Sequence, residues 1–390
     1  MSGFACALLP EPLADAMLLY IHVPFCRKKC HYCAFASQVE SGQDMADWLE
    51  ALEAEITMWG DRLGRVTFSS LYIGGGTPSL LSPAAVERIF SGLRARFSFP
   101  AGCEITFEAN PDSVSPALLR RLRHLGVNRL SLGVQSFDDR QLRALGRLHT
   151  AEQAALACDQ ARTAGFSNLS LDLIWGLPGQ SLRQWLSFLK TAVSLGPQHL
   201  SCYGLTLEPG TRLARQVETG GLTLPTEDET ARMFVQGGDL LESCGYMQYE
   251  ISGYARMGYQ SRHNSGYWQQ TDYLGLGPGA TSTLHGRRWT NPADLASYAQ
   301  QVKTGSLGQD MEIIDNQTAL REMVMLALRT SQGLDLARYR QLAGQGFCRR
   351  FQAQLRSLRS RGLIRLTCDH LRLTRTGMLV SDPIIACFLD

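Results

Sequence analysis

The chain has 390 residues, with 38 basic against 36 acidic side chains, a net charge of +2 and an apolar content of 44%. That balance leaves no electrostatic footprint for nucleic acid or an anionic membrane, and no stretch approaches the apolar length needed to span a bilayer. Eleven cysteines is an odd number; they are dispersed, and a chain this long needs no disulfides to bury a core. Met1 to Leu19 lack a basic start and a small-residue cleavage site, so no export signal is expected and a reducing cytoplasm follows.

From about residue 16 to residue 210, short β-rich runs alternate with helical stretches. Strands are expected at Leu18 to Val23, Ser70 to Ile73, Ile105 to Glu108, Arg129 to Val134, Leu169 to Ile174 and His199 to Thr206. Ser82 before Pro83 and Ser115 before Pro116 read as helix N-caps with proline in the first turn. Thr150 with Gln153 has capping-box spacing, opening a helix that ends near Gly165. Strand and helix in that rhythm mean parallel strands joined by right-handed crossovers. Six units are too few for the closed eight-stranded barrel, so an open, partial barrel is expected.

In parallel α/β folds, chemistry gathers at the carboxyl edge of the strands. The unusual residues of this chain fall at those six positions. Cys26, Cys30 and Cys33 follow the first strand, Gly74-Gly75-Gly76-Thr77-Pro78 the second, and Glu108-Ala-Asn-Pro111 ends the third. Gln135-Ser136-Phe137 follows the fourth, Asp172 and Gly176-Leu-Pro-Gly179 end the fifth, and Thr206-Leu-Glu-Pro-Gly210 the sixth. Three thiolates with no fourth close by suit a cubane cluster with one iron left open to a ligand. A zinc site is the alternative, with His31 as fourth ligand. Three successive glycines leave backbone N–H groups bare for a polar ligand. Arg147 would suit a ligand carboxylate, and Asp172 or Gln135 a ribose. The implied ligand is S-adenosylmethionine.

The spacing Cys-x3-Cys-x2-Cys, with Tyr32 before the last cysteine, resembles the radical S-adenosylmethionine superfamily. Tyr20-Ile-His-Val-Pro-Phe, Gly-Gly-Gly-Thr-Pro-Ser, Glu-Ala-Asn-Pro, Leu-Gly-Val-Gln-Ser-Phe and Asp-Leu-Ile-Trp-Gly-Leu-Pro-Gly-Gln narrow the resemblance to the coproporphyrinogen-oxidase-like branch. It implies a partial (β/α)6 barrel with a smaller, mainly helical, winged-helix-like C-terminal domain. It places Cys26, Cys30 and Cys33 on a [4Fe-4S] cluster, and Tyr20, Tyr32, Gly75, Gly76, Thr77, Glu108, Gln135, Arg147 and Asp172 on S-adenosylmethionine. A reduced flavodoxin- or ferredoxin-type protein would supply electrons.

Two functions divide that branch. Oxygen-independent coproporphyrinogen oxidases carry another cysteine two positions after the third; here that position is Phe35, as in the haem chaperones of the HemW type. Tyr249-Glu-Ile-Ser-Gly-Tyr-Ala and His263-Asn-Ser-Gly-Tyr267-Trp268 resemble the haem-binding stretch of those chaperones, with His263 as axial ligand and Tyr267 beside it. The resemblance therefore implies a chaperone that binds haem and delivers it to an apo-haemoprotein, such as a respiratory complex at the membrane's inner face. The alternative is oxidative decarboxylation of a tetrapyrrole. Ala34 stands where the chaperones usually show Asp, and Thr281 where many relatives carry His.

The expected division is an N-terminal extension over 1–15, the barrel over 16–245, a connecting region with the haem stretch over 246–312, and the C-terminal domain over 313–390. Amphipathic helices begin near residue 315, followed by helices near Asp335 to Leu342 and across Arg349 to Arg359. Short β-like runs at Leu363 to Leu366 and Leu371 to Leu373 complete a winged-helix pattern. The modest charge speaks against DNA binding, which leaves covering the barrel mouth or docking a partner.

Overall fold

The computed structural model describes residues 17–389, so the expected N-terminal extension lies outside the described residues. Six parallel strands run in chain order across the centre of a 12-stranded sheet. They are β1 (Met17–Val23), β2 (Phe68–Gly75), β3 (Glu104–Ala109), β4 (Arg129–Gln135), β5 (Leu169–Trp175) and β6 (His199–Gly204). The register pairs Tyr20 with Tyr72, Tyr72 with Thr106, and Thr106 with Arg129. Crossover helices follow the strands: α1 (Gly42–Leu63), α2 (Pro83–Arg96), α3 (Pro116–His124), α4 (Ala151–Thr163) and α5 (Leu182–Ser194), with α6 (Glu227–Ser243) after the last. Their starts follow the expected punctuation. Ser82 and Ser115 accept from the backbone three residues on, and Thr150 with Gln153 forms the capping box.

Both sides of the six-stranded core are extended. Beyond β6 lies β7 (Gly253–Ala255), antiparallel to it. Beyond β1 lies β8 (Tyr273–Leu276), which pairs with it in parallel, and the antiparallel strands β9 (Thr281–Leu284) and β10 (Arg287–Thr290) follow. Between β7 and β8 a short helix, α7 (Arg262–Trp268), packs against β2.

Alternation along the strands sorts side chains into two environments. Leu71, Ile73, Ile105, Phe107, Leu130 and Leu132 join the main apolar core. The alternate positions carry Tyr72, Thr106, Glu108, Arg129, Ser131 and Asp172, so the barrel lumen is polar. The C-terminal part forms its own core around Met323, Leu334, Tyr339, Phe347, Phe351 and Leu371. Its three short strands, Leu334–Asp335, Ile364–Leu366 and His370–Leu373, make an antiparallel sheet. The helix expected across Arg349 to Arg359 breaks at Phe351, whose ring turns into a cluster with Phe347 and Phe388.

Candidate functional site

The three cysteines are free thiols, partly exposed, on the loop leaving β1. That loop is closed on itself: Cys33 N donates to Cys30 O, and Glu40 N returns to Cys26 O at 3.0 Å. Burial raises the Cys33 thiol, and the neighbouring Cys30 and Cys26 push it further, so the three sulfurs share one electrostatic patch. Among the described residues, no group of three His, Cys, Asp or Glu side chains is drawn in as the ligands of a single ion. His31 does not add a fourth donor. Its Nδ1 lies 2.8 Å from the Ala144 carbonyl and its Nε2 3.3 Å from Arg212 Nη1, so both ring nitrogens are engaged.

Two donors reach the thiols. Arg147 Nη1 stands 3.6 Å from Cys30 Sγ, and Thr77 Oγ1 3.6 Å from Cys26 Sγ. Three cysteines on one loop, with the His31 ring engaged elsewhere, match in number and kind the donors of a cubane cluster that leaves one iron open.

The remaining loops close around this one. Gly76 N donates to Val23 O at 2.7 Å, which brings the glycine turn directly against the end of β1. A Cβ at Gly76 would stand 2.5 Å from the Phe25 carbonyl oxygen, and Gly75 has φ +110. Neither position accepts a side chain without moving backbone. Glu108 takes a 2.6 Å hydrogen bond from Tyr72 Oη and one of 3.2 Å from Gly75 N. Burial raises its carboxyl to about 7 despite those donors. Tyr20 Oη meets His22 Nδ1 at 3.0 Å, and His22 Nε2 reaches the Ala36 carbonyl at 2.7 Å, tying β1 to the far end of the cysteine loop. Burial followed by the Glu108 charge raises the Tyr20 hydroxyl, so the two share the mouth.

Gln135 sits at φ +65, where the register of β4 against β5 shifts. A non-glycine residue held there is strained, and such strain collects at functional sites. Arg147 Nη2 bonds the Gly133 carbonyl at 2.7 Å and Asn110 Oδ1 at 2.6 Å, and Tyr32 faces the same guanidinium. Asp172 accepts from Ser131 Oγ at 3.1 Å, and burial raises its carboxyl. The mouth thus gathers the three cysteines with Tyr20, Tyr32, Gly75, Gly76, Thr77, Glu108, Gln135, Arg147 and Asp172.

His263 and Tyr267 lie deeper, toward the amino ends of the strands. His263 is 1% exposed. Its Nδ1 is 2.8 Å from Ser70 Oγ and its Nε2 2.9 Å from Tyr267 Oη. Burial, then the charge of Arg129, lowers the imidazole to about 3, so it is neutral. Tyr72 joins the two levels: its hydroxyl bonds Glu108 while its ring centroid is 5.0 Å from that of His263.

Sequence reading passed over Asn110, which holds both Thr77 Oγ1 and Arg147, and Glu104, whose carboxylate accepts from the backbone of Arg262 and His263 at 3.1 and 3.0 Å. Charged residues four apart, and so on one face of the strand Glu104–Ala109, were the available signal: Glu104 and Glu108. Thr281 Oγ1 and Thr290 Oγ1 bond across the β9–β10 hairpin at 2.9 Å.

Residues 20–192 match the radical SAM superfamily, and residues 314–380 the HemN C-terminal domain. The heme chaperone HemW of Bacillus subtilis is 34% identical over 373 residues, covering 95% of this chain and 98% of the relative. HemW of Escherichia coli is 35% identical, covering 95% and 97%. Coproporphyrinogen III oxidase (HemN) from Escherichia coli superposes with a TM-score of 0.83 at 28% identity, over 96% of this chain and 90% of that one. The chain belongs to the radical SAM superfamily and, within it, to the family of the haem chaperone HemW. Members of that superfamily use a [4Fe-4S] cluster and S-adenosylmethionine. No helix among the described residues is long and apolar enough to cross a membrane.

Proposed function

We propose that this protein binds haem and passes it to an apo-haemoprotein in the cytoplasm or at the inner face of the membrane. The observation that carries the reading is likeness to HemW chaperones along nearly the whole chain, at 34% and 35% identity. It is joined by Phe35 standing, 67% exposed, where the oxidases of the branch place an extra cysteine. Cys26, Cys30 and Cys33 would hold the cluster, which supplies one-electron chemistry when bound and an open iron for a ligand. The part of the chain is positional. Gly75 and Gly76, bare of side chains, would let S-adenosylmethionine approach the backbone of the turn, Thr77 would stay with Cys26, and Arg147 would take the carboxylate. Tyr20, Tyr32, Glu108, Gln135 and Asp172 would complete the wall. A flavodoxin- or ferredoxin-type protein would donate electrons.

His263 is the proposed haem ligand, because neutral imidazole binds haem iron well. Its Nε2 becomes free only when Tyr267 Oη leaves it, so haem entry includes a rearrangement of α7. Haem titration of the anaerobically reconstituted protein tests the reading. Stoichiometric binding is expected, weakened in His263→Ala, with no decarboxylated product from coproporphyrinogen III. Formation of protoporphyrinogen, or haem binding untouched by the substitution, would reject it.

A further inference from the structure

One lumen-facing position below Glu108 in the register, there is a cation to which the proposed chemistry assigns no task. Arg129, the first residue of β4, is 1% exposed, and its Nε has no hydrogen-bond partner among the described residues. Its lateral neighbour in the register, Thr106, is fully buried, and its Oγ1 is likewise unpartnered.

The acceptors nearby are committed elsewhere. Glu104, whose charge Arg129 feels most, receives Arg262 N, His263 N and Ser261 Oγ. Asp172 receives Ser131 Oγ on both carboxylate oxygens. The two histidines of this layer are paired at both nitrogens. His199 lies 2.8 Å from Ser170 Oγ and 2.8 Å from Tyr249 Oη, as His263 does with Ser70 and Tyr267.

A guanidinium carries five N–H donors, and leaving a buried one without an acceptor, as at Arg129 Nε, is costly. Arg129 Nε and the Thr106 hydroxyl, neighbours in the register, are therefore two buried donors for which the described residues supply no acceptor. A carboxylate matches a guanidinium fork in shape and charge. The ligand proposed at His263 carries such groups, its two propionates, and His263 lies close enough to Arg129 to feel its charge. We infer that Arg129 and Thr106 form a carboxylate-binding site in the barrel lumen that takes one propionate of the tetrapyrrole whose iron meets His263. This rests on the haem-binding reading and adds the recognition of the acid arm.

The two ideas are separated by comparing haem with its dimethyl ester, which keeps iron and ring but has no carboxylate. Each is titrated, by Soret absorbance, into the anaerobically purified protein, its Arg129→Gln and Arg129→Lys variants and Thr106→Val. Wild type should prefer the free acid about tenfold or more, the range expected of a charge-assisted pair. Arg129→Gln should bring the ratio near one without moving the Soret maximum, Arg129→Lys should keep part of the preference, and Thr106→Val should reduce it. Equal affinity of wild type for acid and ester overturns the inference while leaving haem binding in place, and this arm needs no variant to fold. Absence of any Soret change with either ligand removes the haem reading and this site together.

Discussion

Tyr72 donates a 2.6 Å hydrogen bond to Glu108, and the same ring stands 5.0 Å from the His263 imidazole, so one tyrosine spans the mouth and the lower lumen. Phenylalanine at position 72 keeps the ring and removes the donor. A net contribution of about 0.5–1.5 kcal/mol for such a bond corresponds to a few-fold to roughly tenfold weakening of S-adenosylmethionine binding through a misplaced Glu108. Tyr72→Phe should show this by calorimetry, with haem affinity changed less because the ring contact survives. A haem loss exceeding the S-adenosylmethionine loss would place the hydroxyl in the wrong role.

Glu55 on α1 is fully buried and anchors the turn after β8. It accepts from Gly277 N at 2.7 Å, Asn291 Nδ2 at 2.8 Å and Tyr298 Oη at 2.7 Å. Burial nevertheless raises its carboxyl from 4.5 to about 7. A folded-state value above the unfolded one means that folding takes up a proton. The stability linked to Glu55 is therefore fully present below pH ~4.5 and is lost as pH rises through about 7. The shift corresponds to about 3 kcal/mol at ~1.4 kcal/mol per unit. Burial raises Glu108 and Glu250 to about 7 as well, so they slope the same way. Urea midpoints at pH 5 and pH 8 should draw closer together in Glu55→Gln than in wild type. An unchanged gap would show that Glu55 titrates normally.

The strands could be read from their β-rich runs because their outward halves are buried against helices, and the caps at Ser82, Ser115 and Thr150 are local chemistry. What lay hidden is non-local. Nothing in Tyr273–Leu276 signals that it pairs in parallel with β1, a partner some 250 residues earlier in the chain. The lumen's polarity was present in the alternation of Glu104, Thr106 and Glu108, and of Arg129 and Ser131. Strand assignment from apolar content discards that half of the pattern. The loops that bear the mouth residues were legible because glycine, proline and cysteine mark them. Asn110, between Thr77 and Arg147, has no such mark, since an asparagine in a turn usually serves only the turn.

Gly76 tests whether the glycine turn is needed for space. Its added methyl would meet the Phe25 carbonyl oxygen at 2.5 Å and the Val23 carbonyl oxygen at 2.9 Å, both backbone atoms that cannot rotate aside. Gly76→Ala should cost about 1–3 kcal/mol as overpacking and displace the loop from Thr77 and Cys26. Iron and sulfide content after reconstitution should fall together with S-adenosylmethionine affinity. A control at Gly210, where an added methyl meets nothing within 4 Å but φ is +79, should lose stability without losing cluster. Full cluster loading and wild-type affinity in Gly76→Ala would refute the close-approach argument.

The C-terminal core reaches the barrel through Phe234 of α6, which is 7% exposed and belongs to that core. Its ring centroid stands 5.9 Å from that of Trp175, the last residue of β5, three positions beyond Asp172. Trp175 packs against both cores and donates through Nε1 to the Cys202 carbonyl at 3.2 Å. A second tie is polar: Arg375 pairs with Asp239 and Glu242 on α6. Removing the phenyl group leaves that ion pair but opens a cavity between the cores, for which about 3–5 kcal/mol is expected. Phe234→Ala should lower the denaturation midpoint and release the C-terminal part to limited proteolysis before the barrel is cut. S-adenosylmethionine binding should weaken less than stability does, because Trp175 keeps its bond to Cys202. A variant that unfolds at the wild-type midpoint and resists protease equally would mean that Arg375 and its partners, and not the aromatic contact, hold the two cores together.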